Sequence, residues 1–182
     1  MLNYLTNRQI AQTDAVISTA RNIYSSPAEA WANLQDATFA LDKAYARASG
    51  ITGVVYDRDR VQSSAHSDMS DKVGNILELE ARKNAAEHYY LCSVLALRYC
   101  LQRALDMKLF TEEQCDLWRR YYEHGREEEN MSLLKLANKV NLNKDRVRYL
   151  VRSEHAIVLF CKAVESVLNE VMMDTEPAKS FA

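Results

Sequence analysis

Apolar residues recur along most of this chain at spacings of three and four, the period of a helix buried on one side. From about Thr6 to Ile23 the pattern offers Ile10, Ala11, Ile17 and Ala20 as part of such a face. "SSPAEAW" then reads as a helix start: Ser26 can cap, Pro27 suits a first turn, and Glu29 stands three residues after Ser26. Ala30, Leu34, Ala37, Leu41 and Ala44 carry a packing stripe on to about Ala48. These two segments are one bent helix or a helix pair. "SDKVGNILELEARKNAAEHYYLCSVLALRYCLQRAL" predicts a long helix that begins with Val73, Ile76, Leu77 and Leu79. Its apolar residues wrap most of the circumference from Tyr89 onward, which suggests burial among several helices or in a subunit interface.

Four shorter helices follow. "TEEQCDLWRRYYEHG" opens with a capping box in which Thr111 caps and Gln114 reaches back. Cys115, Leu117, Trp118, Tyr121 and Tyr122 form its inner side, and Gly125 suits a C-terminal stop. Next comes a helix from about Ser132 to Val140, with Leu133, Leu136, Ala137 and Val140 on one face. After the corner "NLN", another helix turns Val147, Leu150 and Val151 inward. A last helix, from Glu154 to Met172, is expected to point Ile157, Val158, Cys161, Val164, Leu168 and Val171 inward. The pattern predicts an all-α fold. Residues 1–108 form a helical bundle or oligomerisation region with a long loop near 49–70. Residues 109–174 form a C-terminal module, and 175–182 a tail.

Composition sharpens this picture. The chain has 182 residues, 48% of them hydrophobic, with four Gly and two Pro, so helix breakers are scarce and a core is within reach. The segment "SGITGVVYDRDRVQSSAHSDMSD" holds Gly50 and Gly53 but no phosphate-loop pattern, and reads as a linker or an oligomer contact. Cys92, Cys100, Cys115 and Cys161 form no close pair and are expected as buried thiols in a reducing compartment. His66, His88, His124 and His155 offer no metal spacing, and Asp71, Glu78, Glu80 and Glu87 read as a solvated helix face. No enzyme activity, cofactor or metal is therefore expected. The opening "MLNYLTNRQIAQTD" lacks the apolar core of a signal peptide, and a cytoplasmic protein without a membrane span is expected.

Net charge is −2, which by itself does not announce a nucleic-acid partner. The charge is uneven, however. Between Ser132 and His155 six cations stand against Asp145 and Glu154, while an acidic run, 126–129, lies just before. A local positive field can attract phosphate on a near-neutral protein. Spacing gives this segment a plan. Asn141 tolerates the left-handed backbone better than most residues, Leu142 can plug the corner, and Asn143 can cap the next helix. A short helix, a tight corner and a capped second helix make a helix-turn-helix. On the second helix Lys144, Arg148 and Arg152 stand four apart in one row, flanked by Arg146 and Tyr149. With Asn143, and with Lys135 and Lys139 on the first helix, they are the candidate contacts to double-stranded DNA. Arg148 is placed for a base edge, Arg152 for phosphate.

These residues carry a family resemblance. "LWRRYYEHG" followed by "LLKLANKVNLNKDRVRYL" resembles the helix-turn-helix of sigma-factor region 4, and more closely the phage and prophage transcriptional regulators of the ArpU type. Arg120, Tyr121 and Gly125 match the end of that family's first helix, Leu136 and Ala137 its Leu-Ala pair, and Val147 its inward Val. Upstream, "YARASGITG" and "VQSSAHSDMSDKVGNILELE" are similar to the family's middle segment, so the likeness spans about residues 40 to 155. Asn141 and Asn143 depart from the family's usual Gly and Ser, and "REEENMS" is longer and more acidic than usual. The resemblance implies a regulator of late or packaging-associated phage genes in a bacterial host cell. The long upstream helices, apolar nearly all round from Tyr89 to Leu101, would form a homodimer or higher homo-oligomer or contact RNA polymerase. The alternative is a packaging adaptor like a small terminase subunit, or a helical protein-interaction factor that uses the acidic loop.

Overall fold

The computed structural model describes residues 7–48, 69–123 and 132–175. All of the described regular structure is helical: α1 (Asn7–Ala48), α2 (Met69–Asp106), α3 (Glu112–Trp118) continuing as a π-helical turn (Arg119–Glu123), α4 (Leu133–Lys139), α5 (Lys144–Arg152) and α6 (Glu154–Thr175). The long loop near 49–70, Gly125 with the acidic run at 126–129, and the tail after 175 lie largely or wholly outside the described residues.

The N-terminal segments are one helix. Pro27 lies inside α1 and is fully buried. Ser26 is not a cap, as its sequence context suggested, because its hydroxyl donates back to the Asn22 carbonyl one turn earlier. A proline ring removes one backbone donor from the helix interior, and here the ring is buried. The chain divides into two compact units. One comprises Met1–Glu29 with Cys92–Ala182, the other Ala30–Leu91, so the division falls close to Pro27.

In the unit Ala30–Leu91 the predicted stripe is in place. Ala30, Ala37, Leu41 and Ala44 are buried and Leu34 half-buried. Trp31 packs on Tyr90 with ring centres 5.2 Å apart, and the Tyr45 hydroxyl donates to Glu80. On α2, Ile76 and Leu79 are half-buried, but Val73 and Leu77 face solvent.

The other unit holds a continuous core. Leu97, Cys100, Leu101 and Ala104 of α2 join Phe110, Leu117 and Trp118, then Leu136, Ala137, Val147, Val151, Phe160 and Val164. The core therefore crosses residue 108 and ties the end of α2 to the C-terminal helices. Aromatic rings fill its centre, where Trp118 stacks on Phe160 at 4.8 Å and meets Tyr122 at 4.9 Å. Burial pushes the thiols of Cys100 and Cys115 up to about 11 and raises the Tyr122 phenol. All four cysteines are free, but Cys92 is exposed and Cys161 half-buried, so the expectation of buried thiols holds for two of them. The inner face of α6 is also rotated from the predicted one. Ala156, Phe160, Ala163 and Val164 are buried, whereas Val158 and Val171 are exposed. Ile17 of α1 is likewise exposed.

Candidate nucleic-acid interface

Local chemistry builds the two ends of the α4–α5 corner. The Ser132 hydroxyl accepts from the Lys135 amide at 3.2 Å and starts α4. α4 stops when Asn141 turns left-handed at φ 54°. The Leu142 amide then reaches the Ala137 carbonyl at 3.0 Å, and the Asn141 amide that of Asn138 at 3.4 Å. This pairing satisfies two last-turn carbonyls that the helix leaves open. It also folds Leu142 back onto the core, as the sequence suggested. Asn143, back in extended geometry, accepts from the Asp145 amide at 2.8 Å and caps α5. Its side-chain oxygen is thus committed to the cap.

The other end of α5 is held from outside. Because α5 closes at Arg152, the carbonyls of its last turn lack amide partners within the helix. The Trp118 indole donates to the Leu150 carbonyl at 2.9 Å, and the Gln114 side-chain Nε2 to the same oxygen at 3.0 Å. The Tyr122 hydroxyl donates to the Val151 carbonyl at 3.5 Å. Thr111 caps α3 by accepting from the Gln114 amide at 3.2 Å. The Gln114 side chain, expected to reach back and complete the capping box, instead crosses to α5. Val147 and Val151 are fully buried beneath. After Ser153, whose hydroxyl accepts from the Ala156 amide at 3.1 Å, the chain turns into α6.

This framework leaves one face of α5 outward. Lys144, Arg146, Arg148, Tyr149 and Arg152 are all exposed, as are Lys135 and Lys139 on α4. On α5, Arg146 and Arg152 have partners that the sequence did not announce. Arg146 meets Glu113 of α3 at 3.0 Å, an exposed pair. Arg152 donates to the Tyr121 hydroxyl and lies 5.0 Å from the centre of that ring. Among the described residues Lys144 and Arg148 form no ion pair. The structure therefore brings the eight candidate residues onto two adjacent helices but sorts them. Asn143 caps, Arg146 and Arg152 are tethered, and Lys144 and Arg148 extend toward solvent.

Two features were hidden from sequence reasoning. Glu123, with a side chain 2% exposed, is paired by Arg98 of α2 through both carboxylate oxygens. Arg103 of α2 binds Ser166 at 3.0 Å and Glu170 on α6. Both join residues far apart in the chain, and no local spacing marks them. Among the described residues, no group of three or more His, Cys, Asp or Glu could hold a metal ion, and no helix is long and apolar enough to cross a membrane.

No family model, curated protein or solved structure matches this chain.

Proposed function

We propose that α4 and α5 form a helix-turn-helix and that the chain is a sequence-specific DNA-binding transcriptional regulator of phage or prophage genes. One observation carries this reading. A tight corner, built on left-handed Asn141 and capping Asn143, presents Lys144 and Arg148 outward while Val147 and Val151 seat the same helix in the core. In a helix-turn-helix the N-terminal half of the second helix enters the major groove. A guanidinium there can bind both acceptors of a guanine edge. Arg152, steadied by Tyr121, lies one turn further along α5, where phosphate contacts fix register. The ArpU-type resemblance supplies the phage setting, and the wide apolar coverage of α2 from Tyr89 onward supplies the expectation of a homo-oligomer.

Binding selection from fragmented phage and host DNA, followed by two substitutions, tests the reading. Arg148→Ala should reduce discrimination between the selected site and altered sites by about 1–3 kcal/mol. Arg152→Ala should weaken binding to all duplexes evenly and lower the salt slope by about 0.9. If neither changes binding and both keep the wild-type melt, the basic face is a solvated one.

A second reading has its own observation. Leu95 and Tyr99, one turn apart on α2, are 62% and 59% exposed. Such an apolar ridge favours a protein-interaction or packaging-adaptor role. A closed ring of eight or more subunits in solution would support the adaptor, a dimer the regulator.

A further inference from the structure

Within the unit Ala30–Leu91, the end of α1 and the start of α2 line a cavity of about 440 Å³ that is open to solvent. Lys43 and Arg47 line it from α1, and Lys72 and Asn75 from α2, with Ala44 and Ile76 among its apolar walls. All three cations are exposed, and none forms an ion pair among the described residues. No carboxylate is among the described lining residues. Four cations elsewhere in the molecule are paired, Arg98 with Glu123, Arg103 with Glu170, Arg120 with Asp116 and Arg146 with Glu113.

Local helix physics explains part of this. Lys43 and Arg47 sit near the C-terminus of α1, where the helix dipole favours cations. Lys72 is the opposite case. It stands in the first turns of α2, where the dipole disfavours a cation and neighbouring Asp71 supplies the favoured charge. Its presence there, facing two further cations across a cleft, has no explanation within its own helix. A bound anion would remove the repulsion.

We propose that this cavity binds a phosphate group carried on a larger body, a site separate from the α5 face. Three cations and one amide suit the several oxygens and the charge of a phosphate monoester or diester. The volume lies within the usual range of small-ligand pockets and leaves room beside the phosphate. Ala44 opens that space, and Ile76 offers it an apolar wall. The phosphate comes from a free phosphomonoester or from a nucleic-acid backbone, and the two sources are separable.

Phenyl phosphate and a duplex of about two helical turns are the probes, each titrated by calorimetry into the full chain at several salt concentrations. The variants are the double substitution Lys72→Gln with Arg47→Gln, the conservative Arg47→Lys, and, as a control, Arg82→Gln, an exposed cation of α2 in the same unit outside the cavity lining. Circular dichroism checks that each keeps its helix content. For a free phosphomonoester, phenyl phosphate binds saturably, the double variant weakens it about tenfold or more as expected for lost charge-assisted contacts, and Arg47→Lys and Arg82→Gln retain it. For a nucleic-acid backbone, phenyl phosphate does not saturate at millimolar concentration, but the double variant lowers the duplex salt slope by about two units. Either pattern supports the site. The proposal is overturned if phenyl phosphate binds equally well to the double variant, or if it does not bind and the duplex salt slope is unchanged.

Discussion

Replacing Trp118 with Phe and Gln114 with Met should cost more together than the two costs summed. Both side chains donate to one acceptor, the Leu150 carbonyl, at 2.9 and 3.0 Å. That carbonyl lies in the last turn of α5 and lacks an amide partner within the helix. Gln114→Met leaves the indole in place, so the expected loss is one ordinary hydrogen bond, about 1 kcal/mol. Trp118→Phe removes the other donor and shrinks a ring that is fully buried and stacked on Phe160. Donor loss and the resulting void together should cost about 2–3 kcal/mol. In the double variant the acceptor has neither donor, and its desolvation adds about 1–2 kcal/mol beyond the sum. Urea denaturation of the four proteins, with m unchanged, measures the coupling directly. A coupling below about 0.5 kcal/mol, the scatter of independent sites, would refute the clamp. Another group would then serve Leu150, and the orientation of α5 would rest on packing alone.

Val147→Asp places a carboxylate at a fully buried position of α5, and should cost at least about 3 kcal/mol and lower the thermal melt; an unchanged melt would mean that α5 is wrongly phased. Lys108 ends α2 in the left-handed region at φ 57°, so Lys108→Gly should stabilise by about 0.5–1 kcal/mol, read as a higher urea midpoint. Burial raises the thiols of Cys100 and Cys115 to about 11 from an ordinary value of 9.0. The unfolded chain therefore releases these protons first, and their share of stability is full below pH 9.0 and lost as pH rises toward about 11. Cys100→Ala should flatten the slope of stability across that window, and an identical slope would contradict the assignment. Sedimentation at micromolar concentration should show a homo-oligomer, given the exposed Leu95 and Tyr99; a monomer across the range would remove the paired-half-site model.

Residues within one turn of each other settled much of this protein in advance. Thr111, Ser132 and Asn143 cap the helices that follow them because the donor each satisfies is two or three residues away. Asn141 takes the left-handed corner for the same local reason. The all-helical class, the stripe from Ala30 to Ala44 and the inward Val147 and Val151 were legible from spacing alone. Wherever a side chain had a choice of partners, distance along the chain decided nothing. Gln114 had a local amide within reach and took the Leu150 carbonyl on another helix. Arg146 and Arg152 read as equal members of a basic face, until Glu113 and Tyr121 came beside them through the packing of α3 and its π-helical turn against α5. On α6 apolar residues occupy so much of the circumference that no stripe fixed its rotation. Phe160 faces inward because Trp118 and Phe110 offer it an aromatic surface. Pro27 likewise signals a helix start in isolation but sits buried inside α1, without a backbone donor of its own. Local hydrogen bonds thus determined where most helices begin and end, whereas which faces meet, and which cations stay unpaired, was decided by competition among partners that only folding brings together.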